Sequence, residues 1–210
     1  MPTAARSIVY VEGFNLYYGA VRGGPHKWLD LQKYFSMLRP DDQIQRIWYF
    51  TALIDGSHRR NQETYPQALD SLPLVEVVLG KYKYKSVKCT VPACEFTGTR
   101  EFQVPEEKRS DVNIAIQMLD DAYAGLADRM ILVSGDSDLV PAIHLVKERC
   151  PAINVTVYVP SRSRKRGAAV EIRSAADKNK TLPLNLLARC QLPNPVRGGV
   201  SGQIYKPTTW

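Results

Sequence analysis

Residues Met130–Val140, reading MILVSGDSDLV, constrain this chain more than any other stretch. Met130–Val133 is a short apolar run of the kind that becomes a parallel strand buried on both faces. The run breaks at Ser134-Gly135, and two carboxylates, Asp136 and Asp138, follow one residue apart before a helical pattern begins. A strand buried on both faces needs helices on both sides, and in such sheets ligands bind beyond the carboxyl ends of the strands. Acids placed there are candidates for chemistry. A structural role is open to them as well: Ser137 or Asp138 could cap the following helix, whose first turn Pro141 suits.

The rest of the chain alternates in the same way. Ser7–Val11 (SIVYV) reads as a first strand ending at Glu12-Gly13, and Phe14–Val21 as a helical turn. Asp30 is placed to cap a helix over Leu31–Leu38, which Pro40 stops. Ile44–Ile54 is a second strand. Arg59–Leu72 reads as a helix kinked near Pro66, and Leu74–Leu79 as a third strand that Lys81–Lys88 could extend. Cys89–Lys108, punctuated by Pro92, Gly98 and Pro105, is an excursion with room for a hairpin. Ser110 suits the N-cap of a helix over Asp111–Tyr123, on which Val112, Ala115, Ile116 and Leu119 share a face. A helix up to about Arg149, a strand Asn154–Val159, the basic loop SRSRKRG and a short helix Ala168–Ala176 follow. Strands alternating with helices predict a three-layer α/β/α sandwich with a mostly parallel central sheet, Rossmann-like in kind. Residues 1–177 form one domain in this reading. Residues 178–210, Pro/Gly-rich from Leu182 on, are expected as an extended tail on the surface or partly disordered.

A net charge of +7 favours a polyanionic partner, nucleic acid above all. Lys81, Lys83 and Lys85 alternate with Tyr82 and Tyr84, so on a strand the lysines share one face. That face suits a row of phosphates or, equally, an edge strand guarded by lysine. Arg162, Arg164, Lys165 and Arg166 lie beyond a strand end, where phosphate contacts are expected, and Lys108 and Arg109 flank Asp111. Cys89 and Cys94 have a spacing that zinc permits, but two further ligands are missing, and unligated thiols are the alternative. No stretch reaches the length of a membrane span and the first residues lack an apolar signal core, so a cytoplasmic location is expected.

Three blocks in order, VYVEGFNLYYG (Val9–Gly19), EKRSDVNIAIQMLDDAY (Glu107–Tyr123) and ILVSGDSDLVP (Ile131–Pro141), resemble the signature blocks of NYN-domain proteins. This LabA-like branch belongs to the PIN-like nuclease superfamily. The resemblance spans roughly residues 6–177 and implies a PIN-like fold, metal-dependent ribonuclease activity and an acidic pocket for Mg²⁺ or Mn²⁺. The matching positions are Glu12 and Asn15 in the first block, Asp111 in the second, and Asp136 and Asp138 in the third. Glu12, Asp111, Asp136 and Asp138 are the implied metal ligands, and Asn15 would orient a carboxylate or a phosphate oxygen. PIN-like domains often dimerise, so a homodimer is a further expectation, while a protein partner such as an antitoxin is left open.

The chemistry agrees with that assignment. In-line cleavage of a phosphodiester needs charge neutralisation at phosphorus and an activated water, and hard divalent cations held by a few carboxylates supply both. Two positions depart from the family pattern: Glu12 stands where Asp is usual, and Gln117 where many members carry a further acid. They raise the alternative of a catalytically weakened module that binds or regulates nucleic acid. A third reading is a small-molecule monooxygenase, because some relatives in this branch carry that name. Against it, VEGFN after the first strand is not the GxGxxG dinucleotide fingerprint.

Overall fold

A computed structural model describes residues 4–53, 59–162, 169–198 and 202–210. Its centre is a six-stranded sheet in the order β3-β2-β1-β6-β7-β8. The strands are β1 (Ala5–Glu12), β2 (Asp42–Thr51), β3 (Val75–Leu79), β6 (Arg129–Val133), β7 (Asn154–Val159) and β8 (Lys178–Thr181). Every pairing among them is parallel. The three-layer α/β/α architecture expected from the alternating pattern is therefore the one found.

Period-2 alternation sends neighbouring side chains to opposite faces. From β1, Val9 and Val11 enter one core, which also receives Ile47 and Tyr49 of β2. Ile8 and Tyr10 enter the other with Trp48 and Phe50. The first core is covered by α1 (Gly13–Leu16), a π-helical turn over Tyr17–Val21, α2 (Leu31–Leu38) and α3 (Arg59–Leu69). The second is covered by α4 (Ser110–Tyr123), α5 (Val140–Arg149) and α6 (Val170–Ala175). The chain runs from β1 outward through β2 to β3, then returns to place β6 on the other side of β1. That reversal opens a crevice between the carboxyl ends of β1 and β6.

Three expectations need correction. Lys81–Lys88 does not extend the third strand. It forms β4, which leaves the sheet after Gly80 and pairs antiparallel with β5 (Glu101–Lys108) as a separate hairpin. On α4 the buried face is Ile114, Met118 and Ala122, while Val112 and Ile116 are each 60% exposed. Apolar residues lie nearly all round that helix, so spacing alone does not choose a face; packing against β1 and β2 does. Ser110 is the first residue of α4 instead of its cap, and its hydroxyl bonds the Glu107 carboxylate.

Residues 178–198 and 202–210 are not a surface tail. β8 closes one edge of the central sheet, and Leu182, Leu187, Leu192, Val196 and Ile204 are buried in the first core. The Leu192 amide donates to the Trp28 carbonyl (2.9 Å), and the Trp28 indole donates to the Pro193 carbonyl (2.9 Å). The short strands β9 (Val196–Arg197) and β10 (Gln203–Ile204) pair with each other. No helix among the described residues is long and apolar enough to cross a membrane.

Candidate metal centre

Glu12 is the last residue of β1, and Ser134-Gly135-Asp136 follow directly on β6, so the crevice between these strands receives both. Asp111 comes from a third direction, the first turn of α4, where the helix dipole favours a carboxylate. One carboxylate oxygen from each of Glu12, Asp111 and Asp136 lies within 4.8 Å of the other two. Three hard oxygen donors at that spacing suit a cation of the Mg²⁺ or Mn²⁺ type, which prefers oxygen ligands and keeps several waters.

Hydrogen bonds fix the arrangement. Asn15 Nδ2 donates to Glu12 Oε1 (2.5 Å), and Ser134 Oγ donates to Glu12 Oε2 (2.5 Å). Asn15 Oδ1 in turn accepts from the Gly135 amide (3.1 Å), so Asn15 ties the first block to the third. Ser134 Oγ accepts from the Asp136 amide (2.8 Å). Asp136 Oδ1 accepts from the Asp138 amide (3.0 Å) and thereby caps a 3-10 turn over Ser137–Leu139, with Pro141 inside the first turn of α5. The cap is Asp136 and not Ser137 or Asp138. Gly13 sits where a Cβ would lie 2.7 Å from the Phe50 carbonyl oxygen and 2.9 Å from the Tyr49 ring. Only glycine fits there.

The site is electrostatically uncomfortable when empty of counter-charge. Glu12 is only 5% exposed, and burial pushes its carboxyl up to about 7. The hydrogen bonds from Ser134 and Asn15 oppose that shift, while Asp111 and Asp136 add to it. Burial also raises Asp111, with Asp136 and Asp138 contributing. None of the three carboxylates forms an ion pair with a described residue. Clustered acids of this kind repel one another unless a cation joins them. Beside them, a cleft of about 480 Å³ is lined by Asn15, Asp136 and Ser137 on one side and Ala169 and Glu171 on the other.

Asp138, the fourth expected ligand, lies outside the three-carboxylate group; it is solvent-exposed and reaches Asp111 only through its charge. Lys108 Nζ contacts Glu106 (2.8 Å) on the hairpin. Arg109 is exposed and holds φ of 82°, and Ala169 on the cleft wall holds φ of 75°. These are the positive-φ residues other than glycine among those described, and such strain tends to gather at functional sites. Arg162 Nε donates to the Ala20 carbonyl (3.0 Å), which fixes its guanidinium against the π turn. Arg164, Lys165 and Arg166 lie outside the described residues. Cys89 and Cys94 are free thiols and, among the described residues, join no group of three ligand atoms.

Two residues escaped the sequence reading. Glu107, set opposite Tyr82 by the hairpin register, is pushed up to about 7 by burial; the Ser110 hydroxyl opposes the shift and Asp111 adds to it. A half-buried carboxyl beside the acid group is the one signal that finds it, and burial is not written in EEKRSD. Asp121 is 1% exposed. It accepts from Tyr10 Oη (2.7 Å), Trp48 Nε1 (3.0 Å) and Gln117 Nε2 (3.1 Å). Gln117 is thus spent on an internal network one to two turns from Asp111.

The sequence model of the NYN domain matches residues 6–183, and the chain belongs to the NYN-domain family, within the PIN-like nuclease superfamily. A relative from Pseudomonas putida, 6-hydroxy-3-succinoylpyridine 3-monooxygenase HspA, is 32% identical across 98% of this chain and 75% of its own length. A crystal structure of a protein of unknown function from Vibrio parahaemolyticus covers 87% of this chain and 96% of its own, with a TM-score of 0.55 at 20% identity. That likeness concerns the fold.

Proposed function

We propose that this chain is a divalent-metal-dependent nuclease that hydrolyses phosphodiester bonds of single-stranded RNA. The observation that carries the reading is the convergence of Glu12, Asp111 and Asp136 from β1, α4 and the end of β6. Their donor set fits Mg²⁺ or Mn²⁺, which when bound neutralises charge on the phosphoryl oxygens and acidifies a ligated water. Asn15 and Ser134 hold the Glu12 carboxylate so that both of its oxygens are oriented before any ligand arrives. Asp138, at the rim, orients water entering the cleft. Glu107, whose carboxyl is pushed up to about 7, is a proton source four residues from Asp111. Lys108, Arg109, Arg162, Arg164, Lys165 and Arg166 supply phosphate contacts.

Cleavage of a single-stranded RNA with Mg²⁺ or Mn²⁺, compared across wild type, Asp136→Asn and Glu12→Asp, tests the reading. Wild type cleaves only with metal and Asp136→Asn loses at least two orders of magnitude. Absent metal-dependent cleavage, or cleavage that Asp136→Asn leaves untouched, sinks it. Faster cleavage by Glu12→Asp would mark a detuned site and favour the weakened binding module.

One observation favours a second reading. The identity to HspA runs across 98% of the chain, so oxygenation of a small heteroaromatic substrate is a distinct activity to examine. A flavin-like absorbance band in the purified protein, or consumption of a hydroxypyridine in the presence of a reductant and oxygen, would favour it over hydrolysis.

A further inference from the structure

Beside α1 lies a second cavity, of about 530 Å³, with six aromatic side chains in its walls. Tyr49 and Tyr65 form its floor; Phe14, Tyr17, Tyr18 and Trp210 stand around it. The floor is fixed, because the Tyr65 hydroxyl donates to the Leu29 carbonyl (2.8 Å) and its ring packs edge-on to Tyr49 (5.7 Å between centroids). The rim is open. Tyr17 is 37% exposed and Tyr18 52%, with their rings edge-to-face at 5.1 Å, and Arg22 lies over the Tyr18 ring at 4.9 Å. Tyr18 leaves about half of its surface, and Tyr17 more than a third, open for a planar partner to cover.

Charge narrows the occupant. Lys27 lines the same cavity and, among the described residues, forms no ion pair. A planar ring linked to an anionic group would satisfy both features. The volume lies within the usual range for small-ligand sites. Position narrows it further. Gly13 and Phe14 line the cavity and directly follow Glu12 in sequence, and Gly13 is pressed against Tyr49. Phe14 also meets Tyr82 of the hairpin (5.6 Å), the residue paired with Glu107. The aromatic cavity and the acid group are thus two sides of one short turn.

We infer that this cavity is a nucleobase pocket: it stacks an unpaired base of single-stranded RNA on Tyr17 and Trp210. Lys27 contacts a phosphate, and a neighbouring phosphodiester lies across the α1 turn at the carboxylates. Base-on-aromatic stacking is tolerant of sequence, so the pocket selects for unpaired RNA and not for a particular base. The inference rests on the nuclease reading for the second half of that statement only; the pocket itself is defined by its own residues.

The test uses a short single-stranded RNA carrying one 2-aminopurine, whose emission falls on stacking. It is titrated with the full chain in EDTA, and with Asp136→Asn in Mn²⁺. We expect a saturable quench in both. Tyr17→Ala weakens binding roughly tenfold, Tyr17→Phe restores it because the ring is kept, and Lys27→Ala, by removing one phosphate contact, lowers the salt sensitivity and gives a shallower slope of affinity against salt. Tyr17 is exposed enough that its truncation leaves folding intact. Unquenched binding, or a quench that Tyr17→Ala and Trp210→Leu both leave unchanged, overturns the pocket even if Asp136→Asn abolishes cleavage. A normal quench with no metal-dependent cleavage by wild type leaves the pocket standing and removes the nuclease reading. Saturable binding of nicotinate that the RNA does not displace would assign the cavity to free heteroaromatic acids and overturn the nucleobase.

Discussion

The buried Glu12 carboxyl makes stability depend on pH and on metal in a direction that can be worked out. Its ordinary value is 4.5, and in the folded chain burial lifts it to about 7. Below pH 4.5 the group is protonated in both folded and unfolded chains and contributes no difference. Between 4.5 and 7 the folded chain holds the proton that the unfolded chain releases, so stability falls as pH rises. Above 7 the loss is complete. A shift of this size corresponds to about 3 kcal/mol, and Glu107 and Asp111, raised in the same direction, steepen the slope. For a chain of this length, 3 kcal/mol is about 6–12 °C in Tm. Thermal unfolding in EDTA from pH 5 to 8 is therefore expected to show a declining Tm, and Mn²⁺ at pH 8 to recover most of it by binding only the folded chain. Glu12→Gln removes the largest part of the slope. Its amide can still serve both neighbours, with the oxygen accepting from Asn15 and the nitrogen facing Ser134 Oγ. That variant should be more stable than wild type at pH 8 in EDTA and gain nothing from Mn²⁺. A flat wild-type profile, or a slope that Glu12→Gln leaves intact, refutes the reasoning.

Asp121→Ala leaves the Tyr10 hydroxyl and Trp48 indole buried without an acceptor and should cost about 3 kcal/mol; urea unfolding measures it, and a loss under 1 kcal/mol contradicts the network. Gly13→Ala forces a Cβ to 2.7 Å from the Phe50 carbonyl and should cost about 2 kcal/mol while lowering metal affinity, read by calorimetry. Arg109→Gly relieves a left-handed backbone and should raise stability by about 1 kcal/mol while weakening RNA binding at low salt. Unchanged RNA affinity would remove Arg109 from the phosphate contacts.

The sequence carried the parts of this structure that repeat. Apolar runs such as SIVYV and MILV announce strands buried on both faces, and their alternation with helices leaves few topologies other than a parallel three-layer sandwich. Glu12, Asp111 and Asp136 were legible because each closes a strand or opens a helix, and strand ends converge at a switch point. What was not legible depends on contacts between distant segments. Asp121 looks like a solvent acid beside Asp120 until Tyr10 and Trp48, from two strands, reach it. Leu182, Leu187, Leu192 and Val196 have no helical or strand period because the chain there is irregular, so composition alone made it look like a tail. Asp138 shares a motif with Asp136, yet once Asp136 caps the 3-10 turn the next acid is turned outward.

The two departures from the family pattern now separate. Gln117 donates to Asp121 inside a network that holds α4 against β1 and β2, so its neutrality serves packing, and an acid there would set a second carboxylate beside a buried one. Glu12 is different. Its longer side chain still brings an oxygen within 4.8 Å of Asp111 and Asp136, and both of its oxygens are held by hydrogen bonds. The extra methylene therefore costs no reach. What it changes is the depth of the carboxyl: a group buried enough to sit at about 7 must release a proton before it can bind a cation well. A site built this way should gain metal affinity steeply up to neutral pH and level off above it. Glu12→Asp, shorter and held by fewer contacts, should flatten that dependence whichever way it moves the rate. A metal affinity that rises equally steeply in both would show that burial, and not residue 12 itself, sets the proton release.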